Sequence, residues 1–235
     1  MIVILASAHD ATAYKIVAEW APWGAVLCTP ADLSLPGWCH YVGAPGKAVA
    51  VVDGQRVPAS AIAGVLVRLP SVRPEFLTHI ATADRDYAAS EMTAFLIAFL
   101  SALPGNVINR PSAGALCGPA WRQEQWIRVA SRHGIPVYGR QRRIGLSTPA
   151  DPLPEVTHEI CVIGDRVFGT HDPALTSWAQ VLANASGVGL LSLGFTHHRG
   201  GYGLVSVNTL PELDTSEKVD AVRELLLVNV PGTSQ

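Results

Sequence analysis

The chain has 235 residues, 49% hydrophobic and 15% charged, with 17 Lys and Arg against 19 Asp and Glu for a formal net charge of −2. A chain of this length buries a sizeable core, as one domain or two small ones, and its apolar content excludes disorder. The near-neutral balance provides no whole-protein basic field for nucleic acid or acidic lipid.

In chain order, Met1-Ile-Val-Ile-Leu-Ala6 reads as a first strand rather than a signal peptide, because it lacks a basic leading region and a long apolar stretch. Thr12–Trp20 predicts a helix and Ala25–Cys28 a second strand. Ala48–Val52 and Gln55–Val57 flank Asp53-Gly54, the dipeptide favoured in two-residue hairpin turns. Gly64-Val-Leu-Val-Arg68 is the near-continuous apolar run of a strand covered on both faces. Tyr87 to Leu103 predicts a long buried helix, interrupted by Glu91 and Thr93 and shorter than the roughly 20 apolar residues of a membrane span. Pro104-Gly105 ends it; Asn106–Asn109 is a short strand, and a further helix is opened by Pro119 and closed by Gly134. This β-α-β alternation predicts an open, largely parallel sheet with any ligand at the C-terminal strand ends. Gly139 to Pro154 reads as a crossing segment. Beyond it lie a Gly164-Asp165 hairpin, a helix near Ala174–Ala185, two strands around Arg199-Gly-Gly-Tyr202 and a terminal helix, Glu217 to Leu227. The boundary between an α/β lobe, 1–138, and an α+β lobe, 139–235, is therefore placed at 138/139.

Cys28, Cys39, Cys117 and Cys161 have no C-x-x-C spacing and read as reduced core thiols of a cytoplasmic protein. Arg68 ends a strand, where it serves either as a clamp for a ligand anion or as a surface ion pair. Glu91, the one charge between Tyr87 and Leu103, needs a partner if buried, and Arg68 or Arg110 would serve. Arg122, Arg128, Arg132, Arg140, Arg142 and Arg143, with Glu124 alone opposing them, suit either phosphate or an acidic peptide, or else a solvated amphipathic face. His197-His198 on a strand would point to opposite faces, His9-Asp10 follows the first strand, and His171-Asp172 before Pro173 reads as a helix cap. No H-x-x-x-H pair, G-x-S-x-G elbow or G-x-G-x-x-G turn occurs, which disfavours a metal centre, a serine hydrolase and an NAD enzyme.

An ordered set of motifs resembles the ATP-grasp carboxylate–amine ligases, in the branch of glutathione synthetase and ribosomal-protein-S6 glutamate ligase. The set comprises Arg68, Glu91, Val107-Ile-Asn-Arg-Pro111, the A-x-x-x-G-x-P run Ala130-Ser-Arg-His-Gly-Ile-Pro136, the V-x-G-D-x-V-F strand pair from Val162 to Phe168, and Asn208-Thr-Leu-Pro211. The resemblance implies an α/β fold: a Rossmann-like pre-ATP-grasp lobe plus an α+β lobe like the ATP-grasp C-terminal subdomain. It implies ligand-binding roles for Arg68, Glu91, Asn109, Arg110, Arg122 and Asn208. The family's lid subdomain does not fit into Val137 to His158. Its E-x-N magnesium motif stands here as Ser206-Val-Asn208, and its lysine near Arg122 is an arginine. Magnesium–nucleotide sites use carboxylate oxygens, so the chain is expected to be a truncated relative without independent ligase chemistry. It would bind a peptide or small acidic metabolite between its lobes, as a homodimer or beside a partner ligase subunit, with no nucleic acid and no membrane. ATP and magnesium would act only if a partner chain supplied lid and carboxylates. A third possibility is different chemistry through His9, Asp10 and His197.

Overall fold

The apolar runs at the front of the chain become strands β1 (Ile2–Leu5) and β2 (Ala25–Cys28), a hairpin of β3 (Val49–Val52) and β4 (Gln55–Pro58), then β5 (Gly64–Val67) and β6 (Asn106–Ile108). The computed structural model describes residues 1–139, 154–198 and 200–228. Packing divides the chain into two units, Met1–Ala120 with the C-terminal segment from Glu212, and Trp121–Pro211. In the first unit β2-β1-β5-β6 form a parallel sheet in that order, with Ile2 opposite Ala25 and Gly64, and Gly64 opposite Asn106. All four residues of β1 and of β5 are buried, as continuous apolar runs require. The β3–β4 turn is Asp53-Gly54, both at positive φ (49° and 72°), the backbone that makes this dipeptide a hairpin former.

Helix α1 (Ala11–Glu19) starts at Asp10, whose carboxylate accepts the Ala13 N–H, and buries Ala13 and Ile16. Helix α2 (Arg85–Ala102) differs from the buried helix its composition predicts. Leu96, Phe99 and Leu100 are buried, whereas Tyr87, Glu91, Ala94 and Ala98 face solvent. Alanines make a helix look apolar all round, yet their small methyls cost little when exposed.

The second unit begins with α3 (Gln123–Arg132), followed by β7 (His158–Ile163), β8 (Arg166–Phe168), α4 (Pro173–Ser186), β9 (Leu190–His198) and β10 (Gly201–Asn208). Its sheet is antiparallel, in the order β10-β9-β7-β8. Ile160, Val162, Leu191, Leu193, Phe195 and Leu204 pack with Trp126 and Ala130 of α3 and Leu175, Ala179 and Leu182 of α4. Asp172 caps α4 through the Ala174 and Leu175 N–H groups, and Gly187 closes it at φ 67°. The last helix, α5 (Ser216–Leu227), belongs with the first unit, where it packs on β5 and β6. Asn106 Nδ2 donates to the Leu226 carbonyl (3.0 Å). The division by packing thus differs from the boundary at 138/139: α3 sides with the antiparallel sheet and α5 with the parallel one. Of Gly139 to Pro154, expected from the sequence to be a crossing segment, residues 140–153 lie outside the described residues, with Arg140, Arg142 and Arg143.

Candidate functional site

In the first unit the order of the parallel strands switches between β1 and β5: β1 leads to β2 on one side while β5 lies on the other. Loops leaving such neighbouring parallel strands diverge and open a crevice at their C-terminal ends. Ser7-Ala8-His9-Asp10 follows β1, Arg68 follows β5, and Asn109 follows β6. Arg68 Nε donates to Asp10 Oδ2 (2.7 Å) and Nη2 reaches Oδ1 (3.5 Å), with the two side chains 12% and 16% exposed. Arg68 is thus paired with Asp10, which also caps α1, rather than with Glu91. Glu91 is exposed and needs no buried cation. Asn109 is 6% exposed and holds a left-handed backbone (φ 54°), a conformation asparagine tolerates better than most residues.

Arg110 has a different duty from the one expected. Its guanidinium donates to the carbonyls of Leu100, Ser101, Leu103 and Gly105 at 3.0–3.3 Å, satisfying the groups left open at the end of α2. A groove of about 450 Å³ runs along α2, lined by Ser71, Val72 and Pro74 from the loop after β5, Asp86, Ser90, Thr93 and Ile97 from α2, and Ala113. Thr93 Oγ1 holds the groove wall by accepting the Val72 N–H (3.0 Å) and donating to the Ala89 carbonyl (2.8 Å). Cys28, Cys117 and Cys161 are buried, and Cys39 is partly so. Burial, and secondarily the Asp32 charge, push the Cys28 thiol well above its ordinary range, so it is inert packing.

In the second unit, strand alternation separates the core face from an opposite face. On that face Glu159 pairs across to Gly194, and Gly194 to Ser206; in the next row Cys161 pairs to Ser192, and Ser192 to Asn208. A β-bulge at Val205 creates this arrangement. Leu204 lies opposite core residue Phe195, but the extra residue shifts Ser206 and Asn208 onto the other side. Gln123 Nε2 takes the carbonyl of the bulged residue. Gly194 is required here, because Ser206 Oγ and a Val156 methyl occupy the place of a β-carbon. Asn208 closes its own turn: its Oδ1 accepts the Leu210 N–H (2.9 Å) and its Nδ2 donates to the Leu210 carbonyl (3.0 Å). Two serines, a glycine, an asparagine, a buried cysteine and one carboxylate, Glu159, make a nearly neutral surface. That donor set does not suit a magnesium ion, which takes hard, mostly anionic oxygen ligands.

Arg122 is the N-cap of α3; its N–H donates to Gln125 Oε1 (2.8 Å), and its side chain is exposed. His197 and His198 diverge as strand neighbours must. His197 lies 5.4 Å from His158 and 5.2 Å from Tyr202 between ring centroids, while His198 meets Tyr138 at 5.0 Å. The described residues bring no three His, Cys, Asp or Glu side chains together as a metal-binding group. No described helix is long and apolar enough to cross a membrane.

Comparison of the whole chain decides its fold. It superimposes on the macrocyclase MdnC of Microcystis aeruginosa MRC bound with precursor peptide MdnA, with TM-score 0.69 and 10% identity over 98% of this chain and 100% of that one. The fold is that of the ATP-grasp ligases. A RiPP-associated ATP-grasp ligase of Chryseobacterium gregarium, in complex with ADP and a leader and core peptide, gives TM-score 0.67 and 12% identity over 98% and 97% of the two chains. The RimK domain ATP-grasp protein of Sphaerobacter thermophilus DSM 20745 gives 0.57 and 17% over 96% and 99%. No protein-family model and no curated protein sequence matches the chain.

Proposed function

We propose that this chain is an ATP-grasp-fold binding protein that takes a peptide or small acidic metabolite and does not carry out ATP-dependent ligation by itself. The observation that carries the reading is the neutral face of the antiparallel sheet, with Ser192, Gly194, Ser206 and Asn208 beside a single carboxylate, Glu159. Positioning and charge compensation by metal and cations dominate phosphoryl transfer, and this donor set supplies little of either. Binding is assigned to the C-terminal edge of the parallel sheet. Arg68, pre-oriented by Asp10, meets an acidic group, Asn109 contributes nearby, and the groove along α2 receives the adjoining part of the ligand. Peptide as the ligand class draws support from the peptide-bound neighbours MdnC and the Chryseobacterium ligase.

The ADP held by the Chryseobacterium ligase, together with Glu159 on this sheet, favours a second reading. In it the chain is a ligase component completed by a partner that supplies the missing cover and carboxylates. Thermal unfolding with saturating magnesium–ATP separates the two. A nucleotide at a hundredfold excess over its Kd adds about 2.7 kcal/mol, roughly 5–10 °C for a protein of this size. The proposal expects no shift, and one of several degrees overturns it. Native mass spectrometry of gently purified protein tests the binding edge: any acid carried by the wild type is expected to be lost in Arg68→Ala, and retention removes Arg68 from the site.

A further inference from the structure

We propose that the outward face of α3 docks an acidic polypeptide segment through Arg128 and Arg132. The peptide class rests on the reading above, while the surface is a new one within the second unit. Elsewhere among the described residues, most arginines are committed. Arg68 is paired with Asp10, Arg73 with Glu75 and Arg223 with Asp220. Arg85 and Arg110 donate to backbone carbonyls, and Arg166 lies over the Phe168 ring. Arg56 lays its stem over Gly37. The exposed guanidiniums of Arg122, Arg128 and Arg132 have no hydrogen-bond or ion-pair partner among the described residues, and all three belong to one helix and its cap.

Helix geometry concentrates the charge. Trp126 (3% exposed) and Ala130 (0%) fix one side of α3 in the core of the second unit, so the opposite side is a rigid platform. Arg128 and Arg132 stand one turn apart on that side, with β-carbons about 5–6 Å apart. Alternate side chains of an extended peptide repeat at about 6.6 Å, so two carboxylates in an acid-x-acid segment each meet one guanidinium fork. Arg132 lies in the last turn, where the helix dipole also favours a cation; Arg128 is mid-helix and gains nothing there. The chain as a whole is net acidic, so this patch is not an overflow of general positive charge.

A nucleic-acid strand fits less well. Phosphate chains are held by longer arrays of cations than this pair. Base stacking needs an open aromatic face, but Trp126 is buried and Trp121 packs edge-on against it at 4.7 Å.

Fluorescence anisotropy of the full chain decides the matter, using a labelled twelve-residue Ser-Glu repeat and its Ser-Gln and Ser-Lys counterparts. Wild type is expected to bind the Glu peptide over the Gln peptide, more weakly as salt rises. Arg128→Glu/Arg132→Glu is expected to bind it about tenfold less tightly and to gain affinity for the Lys peptide. Both positions are exposed, so the melting temperature serves as the folding control, and Arg128→Gln/Arg132→Gln repeats the test without charge reversal. Arg56→Gln, at an exposed arginine outside both binding surfaces, is expected to leave the affinity unchanged. Unaltered Glu-peptide binding by the double variants overturns the proposal, as does equal binding of the Gln peptide by wild type. So does displacement of the Glu peptide by an equimolar single-stranded oligonucleotide. If Arg68→Ala alone abolishes binding, the docking face is wrong and the binding edge of the first unit stands.

Discussion

Arg68 and Arg110 follow neighbouring parallel strands and have opposite duties. Arg68 is held by one carboxylate at the edge of the sheet, while Arg110 gives its donors to four carbonyls at the end of α2. Each such charge-assisted bond contributes on the order of 1 kcal/mol when partly shielded, less where water competes. Arg110→Ala is therefore expected to lower stability by about 1–2 kcal/mol in urea unfolding, and Glu91→Ala by less than about 0.5 kcal/mol because that side chain is exposed. Equal costs for the two would show that the carbonyl contacts contribute nothing. The duty of Arg110 was partly legible, since an arginine five residues past a Pro-Gly helix end is placed to return to the last carbonyls. The pairing of Asp10 with Arg68 was less so. Asp10 announces itself as a helix cap, and only the parallel pairing of β1 with β5 brings position 68 beside it. Glu91 stands out in a helix where charge is scarce, but one sequence does not reveal which side of a helix rich in alanine faces water.

At the scale of elements, signals that act within a few residues survive intact in the structure. Asp53-Gly54 turns a hairpin, Asp172-Pro173 starts α4, and Gly187 stops it. What escapes is long-range. Sequence alternation puts Leu204, Ser206 and Asn208 on one face, and the bulge at Val205 reverses the last two. Two adjacent apolar residues, Leu204 and Val205, are the local sign of it in the sequence. α5 follows the second sheet in sequence, yet the Asn106 and Leu226 contact ties it to the first. Gly169 shows how closely the β7–β8 hairpin is fitted. Its φ is +91° and the Glu159 carbonyl oxygen lies where a β-carbon would stand. Gly169→Ala meets backbone as well as an unfavourable φ, so a loss of about 2–4 kcal/mol is expected. Gly187→Ala, also at positive φ (+67°) but in open space, is expected to cost only about 1 kcal/mol. Matching losses in denaturant unfolding would mean that φ, and not the close approach, governs both sites.

At the scale of the molecule, a shape shared with ATP-grasp proteins at 10–17% identity shows that patterned burial carries this fold, while the proposed function divides the chain from a ligase by the charge on one sheet face. That division suggests rebuilding the charge at one position. Ser206 lies across Gly194 from Glu159, two strand spacings or about 9–10 Å away, with no side chain on the intervening glycine. Ser206→Glu places a second flexible carboxylate in the same cross-strand row, and the two converge once the Val156 side chain beside Gly194 swings aside. Without a cation the pair repels by about 0.2–1 kcal/mol, a fall of roughly 1–3 °C in melting temperature. A hard divalent ion bridging both carboxylates reverses that fall. The wild type is expected to melt at the same temperature in EDTA and in millimolar Mn²⁺ or Mg²⁺, whereas Ser206→Glu is expected to melt lower in EDTA and to recover with Mn²⁺. A wild-type protein already stabilised by these ions would show that the neutral face binds metal after all, and the reading of the chain as a binding protein would fall with it.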